Sequence, residues 1–112
     1  MAYDETLAKR VRALLADEAD VTEQRMFGGL AFLVQGNMAV AASGQGGMLV
    51  RVDPTEADQL CSLAGVRRME MQGRPMRGWL VVDSTAVDTT EELQPWVRRG
   101  ASYARSLPAK SR

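Results

Sequence analysis

Four arginines, Arg67, Arg68, Arg74 and Arg77, fall within one eleven-residue stretch, and Trp79 follows close behind. Guanidinium groups are planar forks of donors that match carboxylate or phosphate, and arginine beside an aromatic ring is a common composition of interaction hot spots. The chemistry on offer is recognition rather than bond-making, and the same residues also suit contact with a phosphate backbone. The plainer alternative is a solvated arginine face with Trp79 in the core.

The groups that catalysis needs are scarce. Histidine is absent, which removes the commonest general base and the commonest metal ligand. Cys61 is the single cysteine; it falls on the buried stripe of a predicted helix with no histidine to activate it, so it reads as core packing. One cysteine cannot form an intramolecular disulfide, and without histidine it cannot complete the usual zinc ligand set. The glycines of Ser43 to Gly47 open onto a strand and are not followed by Lys-Ser or Lys-Thr, so they form no phosphate-binding loop. An enzyme is therefore the least supported class, and no cofactor or metal is expected.

At 112 residues the chain fits one domain, 1–112, with enough length to bury a core without staples. Fourteen basic and fourteen acidic residues cancel, so no strong global attraction to nucleic acid or anionic membrane is indicated. The balance is uneven along the chain: residues 1–56 hold 5 basic and 8 acidic side chains, and residues 57–112 hold 9 and 6. No apolar run approaches the roughly 18 residues that span a bilayer, and the N-terminus lacks a signal-peptide core. A cytoplasmic protein is expected.

The elements that must position these groups follow from periodicity. Asp4 to about Asp17 reads as a helix capped by Asp4, with Leu7, Val11, Leu14 and Leu15 on one stripe. Val21 to Phe27 reads as a strand leading through Gly28-Gly29, where a simple bend is expected rather than a bulge or a close backbone approach. Leu30 to Gln35 alternates with period two, and Gly36-Asn37 reads as a two-residue hairpin loop that sets Leu33 opposite Val40, Phe32 opposite Ala41 and Ala31 opposite Ala42. The small residues of Met38 to Ser43 leave room for a helix laid over the sheet. Met48 to Val52 is a further strand. Asp53-Pro54-Thr55-Glu56 starts a second helix with a capping box, running to about Ala64 and ended by Gly65. Arg67 to Met71 and Arg77 to Asp83 form a second hairpin around the turn Gln72 to Pro75, Ser84 to Thr89 is polar linker, and a last helix starts near Thr89 or Thr90. That helix buries Leu93, Trp96, Val97, Ala101 and Ala104, and Pro95 blurs its start because proline fits only a first turn. Ala109 to Arg112 reads as a frayed tail. The predicted class is α+β, a mostly antiparallel sheet of about five to six strands with three helices in the order α-β-β-β-β-α-β-β-α.

Three blocks, MFGGLAFLVQGNMAV, MEMQGRPMRGW and LQPWVRRGASYARSLP, resemble in order and spacing the N-terminal domain of the TfoX family, also called Sxy, of bacterial competence regulators. The resemblance runs from about Tyr3 to Pro108 and marks Met26, Phe27, Gly28, Gly29, Gly73, Pro75 and Gly78 as structural motif residues. It implies a non-enzymatic regulatory domain that works by protein contact linked to transcription, with transcription machinery or a receptor-type regulator as partner. Full-length members add a small helical C-terminal domain, and this chain stops after the first. The family has no established catalytic residues to carry over.

Two further expectations compete with that one. The same arginines could bind nucleic acid directly, and a pocket near Gly28-Gly29 could sense a small molecule. A homodimer is also expected, because small apolar sheets with open edges tend to pair.

Overall fold

A computed structural model describes residues 4–26, 28–44 and 46–108, apart from the side chains of Met71 and Pro75. The elements are α1 (Glu5–Leu14), β1 (Val21–Met26), β2 (Gly29–Val34), β3 (Asn37–Ala42), β4 (Met48–Arg51), α2 (Pro54–Leu60), β5 (Val66–Met71), β6 (Arg74–Val82) and α3 (Thr90–Ser106). The six strands form one antiparallel sheet in the order β1-β2-β3-β4-β6-β5. The α+β class and the order of elements are as the sequence predicts.

All three helices bury their apolar stripes on one face of the sheet. Leu7 and Val11 of α1 with its C-cap Leu15, Ala57 and Leu60 of α2, and Leu93, Trp96, Val97, Ala101 and Ala104 of α3 join Phe32, Val34, Val40, Val50, Leu80 and Val82 in a single core. Alternate strand residues point to opposite faces, so Ala31, Met38, Ala41 and Leu49 form a separate apolar cluster on the helix-free face.

Several boundaries move for identifiable reasons. The first tight turn is Gln35-Gly36, with φ of +54° and +82°, not Gly36-Asn37. Asn37 is buried in β3, where its Nδ2 donates to the carbonyl oxygen of Pro108 at 3.0 Å and to that of Ala104 at 3.5 Å. That tie to the end of α3 outweighs the local turn preference of asparagine. The register shifts with it: Ala31 pairs with Ala41, Phe32 with Val40, and Leu33 with Met38, leaving Ala39 as the extra residue of a β-bulge.

The helices are trimmed in the same way. α1 ends at Leu14 rather than near Asp17, capped at its start by Asp4, whose carboxylate accepts from the Leu7 amide at 3.1 Å. α2 ends at Leu60, so Ala64 is exposed rather than buried, and Asp53 accepts from Thr55 instead of closing a capping box with Glu56. The capping box belongs to α3, between Thr89 and Glu92. Pro95 sits inside α3 in its second turn; it is exposed, as is Glu91, whose carbonyl the proline leaves to water. The expected linker is partly a 3₁₀ turn, Ser84–Val87, with Val87 buried. The expected tail from Ala109 to Arg112 lies outside the described residues.

α1 is also tied to the outer strand β1. Arg12 holds Glu23 in a two-pronged pair, Nε to Oε2 at 2.5 Å and Nη2 to Oε1 at 2.9 Å. The guanidinium contact lowers the Glu23 carboxyl below its ordinary pKa.

Candidate functional site

The β5–β6 hairpin that carries the arginines is wider than the sequence predicts. β5 begins at Val66 and β6 at Arg74, so the turn proper is only Gln72-Gly73, with φ of +55° and +79°. Arg74 and Pro75 are already strand; the Pro75 side chain lies outside the described residues. Between Arg68–Leu80 and Glu70–Pro75 the register slips, so that Met69 alone faces the stretch from Met76 to Trp79. Such irregularities re-aim side chains. Gly78 takes φ +81° within it, and its carbonyl accepts from the Val52 amide at 2.7 Å. A Cβ on Gly78 would stand 2.8 Å from the Val52 carbonyl oxygen.

The four arginines do not act as one patch. Arg67 lies opposite Val81 and Arg68 opposite Leu80, and those partners belong to the helix-free cluster and the core respectively. Adjacent arginines therefore emerge on opposite faces. Arg68 donates to Asp58 of α2, and this bond, with a second contact to Cys61, raises its pKa. Arg67 reaches Asp83 at 3.4 Å with both side chains more than half exposed, a pair of little energetic weight. Arg74 and Arg77 are exposed and make no ion pair or hydrogen bond with any described residue.

Trp79 is neither core nor free. It is half-buried on the helix-free face, packed with Met26, Leu33, Met69 and Val81 around the buried cluster. Arg51, directly opposite on β4, places its Cζ 5.2 Å from the Trp79 ring centroid and 5.6 Å from that of Tyr103 on α3. Sequence reasoning missed Arg51, because it lies 28 positions from Trp79 and they meet only through the β4–β6 pairing.

The strand registers place one row of side chains across this face: Gln24, Ala31, Ala41, Leu49, Val81 and Arg67, from one outer strand to the other. The centre of the row is small and apolar and its ends are polar. Ala31 and Ala41 are almost fully buried although no helix crosses them, within an apolar cluster that includes Met38 and against which Leu33 and Trp79 pack. Toward β5 the row opens into a hollow of about 660 Å³ lined by Leu49, Met69, Val81, Arg67 and Ser43, among others.

The MFGG residues serve the same hairpin array. Met26 packs on the helix-free face and pairs with Gly29, and Phe27 lies outside the described residues. Gly28 takes φ +73° in open space. At Gly29 a Cβ would overlap the Ala42 carbonyl oxygen and stand 3.0 Å from the Gly44 amide nitrogen, so a close backbone approach accompanies the expected bend.

Among the described residues no group of three or more metal-ligating side chains gathers, and no helix is long and apolar enough to cross a membrane. A family model described as the TfoX N-terminal domain matches residues 13–104, which span all six strands, α2 and most of α3. No curated protein and no solved structure matches the chain.

Proposed function

The chain belongs to the TfoX N-terminal domain family, and from that premise we propose a non-enzymatic bacterial regulatory adaptor that acts on transcription by protein–protein contact. The observation that carries this reading is the helix-free face. It presents half-buried Trp79, Val81, Met69 and Leu33, and Arg74 and Arg77, which make no ion pair with a described residue, precede Trp79 on β6. A half-buried aromatic ring with apolar neighbours and arginines nearby in the chain is a common composition of protein interfaces. Direct nucleic-acid binding is less well supported, since the net charge is zero and Arg67 and Arg68 diverge to opposite faces.

The test is affinity capture from host lysate by the tagged chain, with and without nuclease, beside the double variant Arg74→Glu/Arg77→Glu. Retention of RNA polymerase or a receptor-type regulator after nuclease, and its loss from the double variant, is the expected outcome. Enrichment that vanishes with nuclease would transfer the arginines to nucleic-acid binding.

A further inference from the structure

The sheet has two outer strands, β1 and β5. The β5 edge is interrupted by the register slip between Arg68 and Glu70, a device that hinders pairing with another chain. β1 has no such interruption. It pairs regularly with β2 from Val21 to Met26, and Thr22, Glu23, Gln24 and Arg25 are exposed. α1 makes its main contacts with β3 and α3, inward of this edge.

The open side of β1 follows from its hydrogen bonds. The Gln35 amide donates to the Asp20 carbonyl oxygen at 3.0 Å, and this pair continues the β1–β2 register. Opposed pairs in an antiparallel ladder alternate between bonded and non-bonded, so Thr22, Gln24 and Met26 bond inward to β2. Val21, Glu23 and Arg25 therefore turn their amides and carbonyls outward, where no other described backbone group meets them.

A second copy joins such an edge antiparallel about a two-fold axis, with outward residues opposite outward residues. Two registers overlap over five of the six residues of β1. An axis at Glu23 sets Glu23 against its own copy, which is repulsive. An axis at Gln24 sets Glu23 opposite Arg25 of the other copy, twice over. Glu23 and Arg25 lie opposite Phe32 and Leu30 of the core, so both project on the helix side and these pairs share one face.

The surroundings suit an incoming guanidinium. Arg12 already holds Glu23 through both carboxylate oxygens, and each oxygen keeps a further lone pair. Arg25 itself makes no ion pair with a described residue. Between the end of α1 and β1 lies a hollow of about 350 Å³ lined by Arg12, Glu18, Asp20, Val21, Glu23 and Phe32, among others. Glu18 is held by Arg105, whereas Asp20 makes no ion pair with a described residue. The balance beside Glu23 is acidic.

We propose that two copies of the chain join along β1 about a two-fold axis at Gln24, merging their six-stranded sheets into one. Each Glu23–Arg25 pair exchanges both of its backbone hydrogen bonds, and Thr22 meets Met26 on the helix-free face. The cross-sheet row that ends at Gln24 then runs on into the second copy. The join is short and polar, so the dimer is weak and depends on concentration. This inference goes beyond the adaptor reading and does not depend on it.

Analytical ultracentrifugation of the full chain at concentrations up to about 1 mM should show a monomer–dimer equilibrium. Arg25→Glu sets carboxylate against carboxylate, and Glu23→Arg sets guanidinium against guanidinium. Each alone should weaken association at least about tenfold. An equimolar mixture of the two restores both opposite-charge pairs and should dimerise as the parent does, with circular dichroism showing that each variant is folded. Amide exchange in the parent dimer should slow at Val21, Glu23 and Arg25 and stay unchanged at Gln24, which already bonds to β2. A monomer mass at every concentration would overturn the proposal. So would a dimer indifferent to both variants, a mixture that stays monomeric, or slowed exchange along β5 and not β1. None of these outcomes bears on nuclease-resistant capture through Arg74 and Arg77, so the adaptor reading stands or falls separately.

Discussion

Gly100 of α3 lies against Ala39 of β3 so closely that a Cβ on the glycine would overlap the Ala39 carbonyl oxygen and stand 2.8 Å from Val40 Cγ1. Ala39 is the bulged residue, and it and Val40 both face the helices. The bulge, an alanine and a helical glycine thus meet at the closest approach of helix to sheet. Alanine is the better helix former by about 1 kcal/mol, yet Gly100→Ala should destabilise the fold by about 1–3 kcal/mol, because neither backbone can yield without disturbing the layer. Urea unfolding followed by circular dichroism measures this; a more stable variant would show that the contact relaxes freely.

Asn37 is the one buried polar residue among those described, and it links the first hairpin to the end of α3 through Pro108 and Ala104. Asn37→Ala should lose about 0.5–1.5 kcal/mol, since it removes both bonds donated by Nδ2, although Pro108 is exposed and the Ala104 carbonyl keeps the Leu107 amide as a donor. Faster amide exchange in the last turn of α3 than in β6 would accompany it. Equal exchange throughout would contradict the link.

The Arg12–Glu23 pair makes stability depend on pH. The folded carboxyl titrates below its ordinary value of 4.5, so its contribution is full above that value and fades as pH falls through the folded pKa. Both side chains are at least a third exposed, which limits the effect to about 0.5–1 kcal/mol. Glu23→Gln should therefore be less stable than the parent at pH 7 and indistinguishable from it near pH 2. A gap that persists at low pH would mean that the pair acts through packing alone.

The two tryptophans report different faces. Trp96 is 6% exposed in the core, whereas Trp79 is half-buried on the helix-free side. Trp96→Phe, which leaves Trp79 alone, should be quenched by acrylamide more strongly and emit further to the red than Trp79→Phe. If the proposed partner covers this face, the quenching of Trp79 should fall on binding while that of Trp96 stays the same. Identical quenching of the two variants would place Trp79 under cover already.

Gly78 adjoins the Val52 carbonyl at a φ of +81°. Gly78→Ala combines an unfavourable left-handed backbone with a contact that must give way, and it should cost at least about 1–2 kcal/mol. Because Gly78 shapes the irregular stretch that carries Arg77 and Trp79, partner capture should weaken at temperatures where the variant is still folded. Full capture by a folded variant would separate the bend from binding.

The sequence by itself determined the class, the element order and most of the buried stripes. Helical spacing of Leu7, Val11 and Leu15, or of Leu93, Trp96 and Val97, and period-two alternation in β2 are local signals that need no partner to be seen. It also pointed to the second hairpin, since four arginines and a tryptophan so near one another are visible in any linear reading. Tertiary structure decided what local preference could not. Asn37 left its expected turn because two carbonyls 67 and 71 positions away accept from its amide, and that one-residue change altered the register of β2 on β3. Arg51 met Trp79 only because β4 pairs with β6 rather than with β5. Each of these contacts joins residues distant in sequence, so its energy is set by which surfaces the assembled sheet and helices bring together.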